Sequence, residues 1–330
     1  MRRKSKLVLE EYTSDFQEKW DKFVWNSRNG TLFHTQKFLG YHPENRFEDE
    51  SLILHRKGDL FSVFPAASTA KNGIKTLYSH PGSSYGGFVI TNYAGINHVF
   101  NILEELTKYC KQKGFNKVIL KITPWIFNNY PSDEIPFALW HKDAIIEKKE
   151  LECVIPLTFE LDEYNLPKVL KNSCRRAILK SDRKGISVKQ SDKFRRYWTI
   201  LKEDLRGRHG ATPTHSLQEI KKLKTLFPDR IRLFASFLED ELIAGVVVFV
   251  CNSKVIQAFY IAQDYEYQKY RPTNAVINEV MKWGKNQGYD YLTLGISTER
   301  GGEEINWGLF RFKESFGARG VLRTVYSLKV

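Results

Sequence analysis

Two thirteen-residue stretches of this chain carry nearly the same pattern: KQKGFNKVILKIT, Lys111 to Thr123, and KNQGYDYLTLGIS, Lys285 to Ser297. Each opens on a lysine, sets a glycine three residues later, follows it with an aromatic residue and Asn or Asp, and ends in an apolar run. The offset, from 111 to 285, is 174 residues, just over half of the 330 in the chain. A glycine closing a helical periodicity takes the left-handed conformation that other residues avoid. An apolar run directly after it reads as a strand entering a buried sheet. The repeat therefore predicts two copies of one helix–glycine–strand unit, most simply by duplication. Convergence on the same three-part punctuation is the alternative, since α/β proteins use it often.

The flanking elements follow the same plan in both halves. In the first, an early helix holds EKWDKFVWN. SLILHR (51–56) and LFSVFPA (60–66) form a hairpin across Lys57-Gly58-Asp59. TLYSHPGSSYGGFVI carries a further strand pair around a Pro-Gly-Ser loop. Val99, Ile102, Leu103, Leu106 and Cys110 recur at spacings of three and four, which buries one face of a helix over 96–113. Gly114 ends it, and strand 117–122 follows. In the second half, helices are expected over 166–184, 194–205 and 217–226. A three-strand antiparallel meander follows over 231–238, 242–250 and 255–262. A long helix (273–287), Gly288, a strand (289–296), a short helix (306–316) and a last strand (321–329) complete the pattern. The fold class is α/β (α+β): two tandem units, 1–155 and 156–330, each a mixed, mostly antiparallel sheet flanked by helices.

Composition narrows the function. Lys and Arg number 51 against 38 Asp and Glu, a formal charge of +13. That excess attracts polyanions such as nucleic acids, anionic lipid surfaces and phosphorylated substrates; it equally keeps a protein soluble. Cys110, Cys153, Cys174 and Cys251 lack both zinc-ligand and disulfide-framework spacing. No apolar run approaches the roughly 20 residues that span a bilayer, and the N-terminal apolar run is too short for a signal peptide. A cytoplasmic location is expected, with peripheral membrane contact left open.

Five segments, in order, carry a resemblance: KNSCRRAILKSDRKGISV, RGRHGATP, LIAGVVVFV, YIAQDYEYQKYRPTNAVINEVMKWG and GLFRFKESFG. Their succession between 166 and 317 resembles the acyltransferase fold of the GNAT superfamily. Two such units in one chain resemble the FemABX family, FemAB-like aminoacyl transferases of bacterial cell-envelope synthesis. The first half shares the resemblance through LFSVFPAA and SSYGGFVI. The long charged helical hairpin that some members insert in the second unit is absent here. The resemblance implies aminoacyl-tRNA as donor, an amine on a nucleotide- or lipid-linked peptidoglycan peptide as acceptor, and no metal or organic cofactor.

The residues themselves bear on the donor. GNAT enzymes grip the diphosphate of coenzyme A with main-chain N–H groups at the start of the helix after the meander. Here that place reads Gln268-Lys269-Tyr270-Arg271-Pro272-Thr273-Asn274, without glycine, and proline removes one donor. The first-half counterpart, ITNYAGINHVF, is no better supplied. Coenzyme A stays as the alternative donor, for an N-acyltransferase acting on an amino sugar in polysaccharide synthesis. A catalytically inactive binding protein is the third alternative.

Arg176, Lys180 and Lys184 fall at i, i+4 and i+8 on one helix face, suited to phosphates or simply to solvent, with Arg208 among the cations extending the row. In FRFKESFG, Phe312 and Phe316 are spaced for burial, so Lys313 points elsewhere, toward a surface. The resemblance sets the lysine of this FKxxFG motif beside the donor or acceptor phosphates and the reacting carbonyl, where an ammonium stabilises a tetrahedral oxyanion. Lys313 is thus the first catalytic candidate. Tyr260 and Asp264 are further candidates, near where two strands of this fold would part. Gln263, Arg271, Asn274, Glu299 and Tyr85 are expected at the substrates, with Asp264 or Glu299 as a base for the attacking amine. Each of these carboxylates reads equally as an ordinary loop acid. Cys174 lies beside two arginines yet on the apolar stripe, which favours packing over nucleophilic use; His209 is an isolated loop histidine.

Overall fold

A computed structural model describes residues 7–43 and 45–330. The chain divides into two compact units. One runs to Glu150 and takes back Leu322–Val330; the other is Leu151–Val321. The expected cut at 155/156 therefore lies five residues late, and the last strand belongs to the first unit rather than the second.

The first unit contains β1 (Leu7–Glu11), α1 (Gln17–Asn26), α2 (Gln36–Leu39), β2 (Glu48–Asp49), β3 (Leu52–Arg56), β4 (Asp59–Phe64), β5 (Ala67–Lys71), β6 (Ile74–Tyr78), β7 (Val89–Ile90), α3 (Ile96–Gln112), β8 (Lys117–Lys121) and α4 (Glu134–His141). Strand β9 (Ile145–Pro156) begins in this unit and ends in the second. Strands β1-β3-β4-β7 form one antiparallel sheet. Strands β8-β6-β5-β2 form another, in which β6 and β8 are parallel. The apolar face of α3 closes the core with Leu54, Phe64, Leu77 and Val118.

The second unit continues with α5 (Asn172–Arg183), β10 (Ile186–Gln190), α6 (Phe194–His209), α7 (Leu217–Leu226), β11 (Ile231–Leu238), β12 (Glu241–Val250), β13 (Val255–Gln263), α8 (Pro272–Asn286), β14 (Tyr291–Ile296), β15 (Thr298–Glu299), β16 (Glu304–Ile305) and α9 (Trp307–Glu314). Strand β17 (Arg319–Lys329) starts here and ends in the first unit, antiparallel to β8 with Val325 opposite Lys121. The second-unit strand order is β10-β11-β12-β13-β14-β9, with β13 and β14 parallel and the other pairs antiparallel.

The repeat read from the sequence is a repeat in hydrogen bonds. At the end of α3, Phe115 N–H donates to Cys110 O (2.8 Å) and Gly114 N–H to Lys111 O (3.3 Å). At the end of α8, Tyr289 N–H donates to Gly284 O (3.1 Å) and Gly288 N–H to Lys285 O (3.0 Å), the same partners shifted by 174. Gly114 (φ 72°) and Gly288 (φ 81°) supply the left-handed residue this helix stop requires. Helix α8 buries Val276, Ile277, Val280 and Met281 on one face. Gly284 on the same face lets it sit close to the sheet: a Cβ there would come within 2.6 Å of Ile256 Cδ1 and 2.9 Å of Leu157 Cδ1. Each fully buried aliphatic side chain of this face contributes about 1.5–3 kcal/mol.

Helix α5 begins at Asn172, not Leu166. Pro167 forms an isolated bridge with Leu161, and Lys171 is extended. Leu166 and Leu170 are still buried, from a loop rather than from the helix stripe.

Candidate active site

The site grows from the way β13 and β14 part. They pair in parallel over only three residues: Val255 with Tyr291, Ile256 with Leu292, and Gln257 with Thr293. Beyond Gln257, β13 stays on β12, past a register shift at Val247/Val248, while β14 pairs with β9. The parallel ladder is lost toward the carboxyl ends of the strands, the side on which open parallel sheets receive ligands.

Lys313 of α9 fills the point of parting. It is only 4% exposed, and its Nζ donates to the carbonyl oxygens of Gly295 (3.0 Å) and Ile296 (2.6 Å). The expectation that it points to a surface is therefore corrected. Two main-chain acceptors at the end of β14, past its parallel pairing with β13, draw the ammonium inward. Burial brings its pKa down to about 8, opposed by the charges of Cys153 and Glu152. An ammonium carries three N–H donors; two are used on β14, and Lys313 also lines a pocket.

That pocket has a volume of about 290 Å³. Gln263, Thr273, Asn274 and Arg271 line it from β13 and the start of α8, Lys313 from α9 and Asp204 from α6. A second recess of about 480 Å³ shares Arg271, Asn274 and Phe312 with it and adds Arg176, Lys180 and Arg311. The helix face expected to carry cations thus does so at Arg176 and Lys180, beside the pocket; Lys184 follows the end of α5. Arg271 is held in the left-handed region (φ 61°) between a short 3-10 turn and Pro272.

The start of α8 is poorly suited to hold a diphosphate by its main chain. Pro272 has no N–H, and the N–H groups of Asn274 (3.1 Å) and Ala275 (3.4 Å) both close on Arg271 O. Of the first-turn donors that would meet phosphate oxygens, this leaves the N–H of Thr273.

Several candidates lie elsewhere. Tyr260 is on β13, but its hydroxyl accepts from His215 N–H (3.0 Å) and contacts His215 Nδ1 (2.7 Å), and its ring packs edge-on against Trp198. Along a strand alternate residues face opposite ways, so Gln263 reaches the pocket and Tyr260 does not. Asp264 caps the 3-10 turn by accepting from Glu266 N–H and pairs with Arg196 (3.5 Å). Glu299 sits in the β15–β16 hairpin, where Asn306 Nδ2 donates to it (3.5 Å). Tyr85 is 0% exposed in the first unit, packed between Phe33 and Phe127, so it presents no ring to an acceptor. The side chain of Arg208 lies outside those described. Cys174 packs as its place on the stripe suggested: burial raises its thiol to about 11, and Asn274 Nδ2 donates to Sγ (3.6 Å). Among the described residues, no cluster of His, Cys, Asp or Glu is arranged to hold a metal, and no helix is long and apolar enough to cross a membrane.

Sequence reasoning passed over Asp204, Thr273 and Arg311. A signal for Asp204 was present. Tyr197, Leu201 and Asp204 fall at i, i+4 and i+7 of α6, with the first two buried, so a carboxylate stands on a core-facing stripe.

Comparison with known proteins bears on the fold. Residues 169–314 match the family described as an acetyltransferase (GNAT) domain. FemX superposes with a TM-score of 0.73 at 12% identity, covering 98% of this chain and 97% of FemX. The L-PGS of Bacillus licheniformis superposes at 0.61 with 16% identity, covering 96% of this chain and 92% of that one. A tandem GNAT protein from the clavulanic acid biosynthesis pathway gives 0.56 at 7% identity, with 98% of both chains covered. No match was found among curated protein sequences. The chain has the fold of FemX and of the tandem GNAT protein, and residues 169–314 of its second unit match the acetyltransferase (GNAT) domain model.

Proposed function

We propose that this protein is an acyltransferase of the FemAB-like kind. It would move an aminoacyl group from aminoacyl-tRNA onto an amine of an anionic, nucleotide- or lipid-linked cell-envelope precursor such as a peptidoglycan peptide, in the cytoplasm. The observation that carries this reading is Lys313, a buried ammonium at the parting of β13 and β14, next to a recess lined by Arg176, Lys180, Arg271 and Arg311. Fold likeness to FemX and to the L-PGS is in keeping with it.

An aminoacyl ester is already activated, so the site needs to position the reactants and stabilise charge. The acceptor amine attacks the ester carbonyl, and negative charge develops on the carbonyl oxygen. Lys313 Nζ, its ammonium fixed by two backbone acceptors, supplies a donor to that oxygen. Collapse forms the amide and expels the ribose hydroxyl oxygen, which takes up the proton lost by the attacking nitrogen. The arginine-rich recess suits phosphates of the RNA end. Main-chain donors turned inward at α8 speak for this donor over coenzyme A.

Filter binding of charged tRNA over a salt series tests the reading, together with transfer of a labelled amino acid to a peptidoglycan precursor. Tight binding that weakens steeply with salt is expected. Thermal stabilisation by coenzyme A, with none by charged tRNA, would replace this reading with the amino-sugar N-acyltransferase. Transfer that persists undiminished in Lys313→Ala would remove the lysine from the mechanism.

A further inference from the structure

The polar groups of the 290 Å³ pocket are sorted by sign. Lys313, Arg271 and the amide of Asn274 supply donors, while Asp204 is the only carboxylate among the described lining residues. Asp204 is 8% exposed, on the face of α6 that packs against β12 and β13. It lies close enough to the buried Tyr197 that its charge, after burial itself, helps to raise that phenol's pKa. Gln263 Oε1 already takes the hydroxyl of Thr273 (2.7 Å) and is a neutral acceptor, weaker toward a cation than a carboxylate. A carboxylate has several lone-pair sites, so one lining a pocket can accept from a cation that enters it as well as from its neighbours in the protein. The volume is at the low end for ligand pockets, about right for one small group rather than a long chain.

We propose that Asp204 recognises an ammonium on the transferred group, the α-ammonium of an aminoacyl ester, while Lys313 faces its carbonyl. The inference rests on the aminoacyl-ester reading above and deepens it: it states which chemical feature of the donor the pocket selects. An α-aminoacyl ester presents a positive nitrogen and a polarised carbonyl oxygen on adjacent carbons, the complement of one carboxylate and one ammonium in the same pocket. An acetyl group would cover the carboxylate without bringing a charge to it. Asp204 therefore acts as a filter against uncharged acyl groups.

The test uses two non-hydrolysable trinucleotides ending in an adenosine with a 3′-amide-linked alanine. One carries a free amine; the other is N-acetylated. Their binding to the full chain and to Asp204→Asn is measured by calorimetry. The free-amine compound is expected to bind the unmodified protein at least about tenfold more tightly, the scale of one charged hydrogen bond. Asp204→Asn should bind both compounds alike, at the affinity the unmodified protein shows for the acetylated one. Equal binding of both compounds by the unmodified protein overturns the inference and leaves the RNA-donor reading standing. So does Asp204→Asn weakening both compounds by the same factor, the mark of a structural role. If neither compound binds while coenzyme A does, the donor reading falls and takes the inference with it. Should Asp204→Asn not fold, the two-compound comparison on the unmodified protein decides alone.

Discussion

In the first unit, β6 and β8 pair in parallel over three residues, Thr76 with Lys117, Leu77 with Val118 and Tyr78 with Ile119. In the second, β13 and β14 do the same at Tyr291, Leu292 and Thr293, the positions 174 residues further on. The two ladders end differently. After β6 the main chain stays at the edge of β8: Ser79 N–H donates to Ile119 O (2.8 Å), Lys121 N–H to Ser79 Oγ (2.8 Å), and Gly86 N–H to Lys121 O (2.7 Å). Tyr85 fills the neighbouring space, leaving beside Gly86 and Ile122 a cavity of about 20 Å³, room for roughly one water. Lys121 is itself partly buried there, donating to the carbonyls of Pro81 and Ser83. Its counterpart in the second unit is Gly295, with φ +70°. There the carbonyls of Gly295 and Ile296 receive the ammonium of Lys313, and the main chain comes back one residue beyond the strand, where Asn306 N–H donates to Ser297 O (3.0 Å). The lesson is local. At the carboxyl ends of the same strand pair, the edge is met by returning main chain in the first unit and by a lysine beside a pocket in the second, while a separate recess of about 500 Å³ lies against β6 and β8 themselves.

The largest effect that would sharpen this contrast comes from removing each of the two lysines in turn. Lys313→Ala should lower transfer by about 10²–10³, the loss expected when a preorganised donor to an oxyanion is removed. Lys121→Met should leave the rate within about twofold, and single-turnover assays compare the two. If both variants fail alike, the units do not divide the labour as described. Next comes pH. With its pKa near 8, Lys313 loses its charge above that value, so transfer should fall about tenfold per pH unit on the alkaline side. In Lys313→Arg that limb should disappear, because a guanidinium stays charged. The third concerns the first unit. Gly86→Ala would set a Cβ 2.1 Å from the carbonyl oxygen of Ser79, and overpacking against backbone should cost about 1–3 kcal/mol in urea denaturation. Unchanged stability would mean that the segment after β6 is not tightly fixed.

The smallest effect is on the proton balance of folding. Burial lowers Lys121 from 10.5 to about 7, so between those values the unfolded chain binds more protons. Lys121 therefore makes stability rise with pH through that window and fall as pH drops back toward 7. Lys121→Met should flatten this part of the stability profile while leaving the alkaline limb of the rate in place.

The duplicated helix stop was legible because its signals are local: an apolar stripe, a glycine and an aromatic residue after it. The meander and its turns were legible for the same reason. The hairpin of β5 and β6 was not, although Asn72-Gly73 joins its strands, with both residues at positive φ. Ser68, Thr69 and Lys71 give β5 too polar a pattern to stand out. Strand β9 reads IIEKKELECVIP, and its first five residues are exposed, so no burial period marks it. The candidate site was legible in its cations. Arg176, Lys180, Arg271 and Lys313, named from the sequence, line the two recesses, as do Gln263 and Asn274. The direction of Lys313 was not legible, because two carbonyls of a distant strand decide it. Tyr260 was misplaced by one face, which the parity of a strand sets and an irregular register such as that of β12 and β13 obscures.

The return of Leu322–Val330 to the first unit has a consequence for biogenesis. On the ribosome that unit must wait, one strand short beside β8, until the whole of the second has been synthesised. The second unit, with Lys313, can then mature first, and the first unit finishes last.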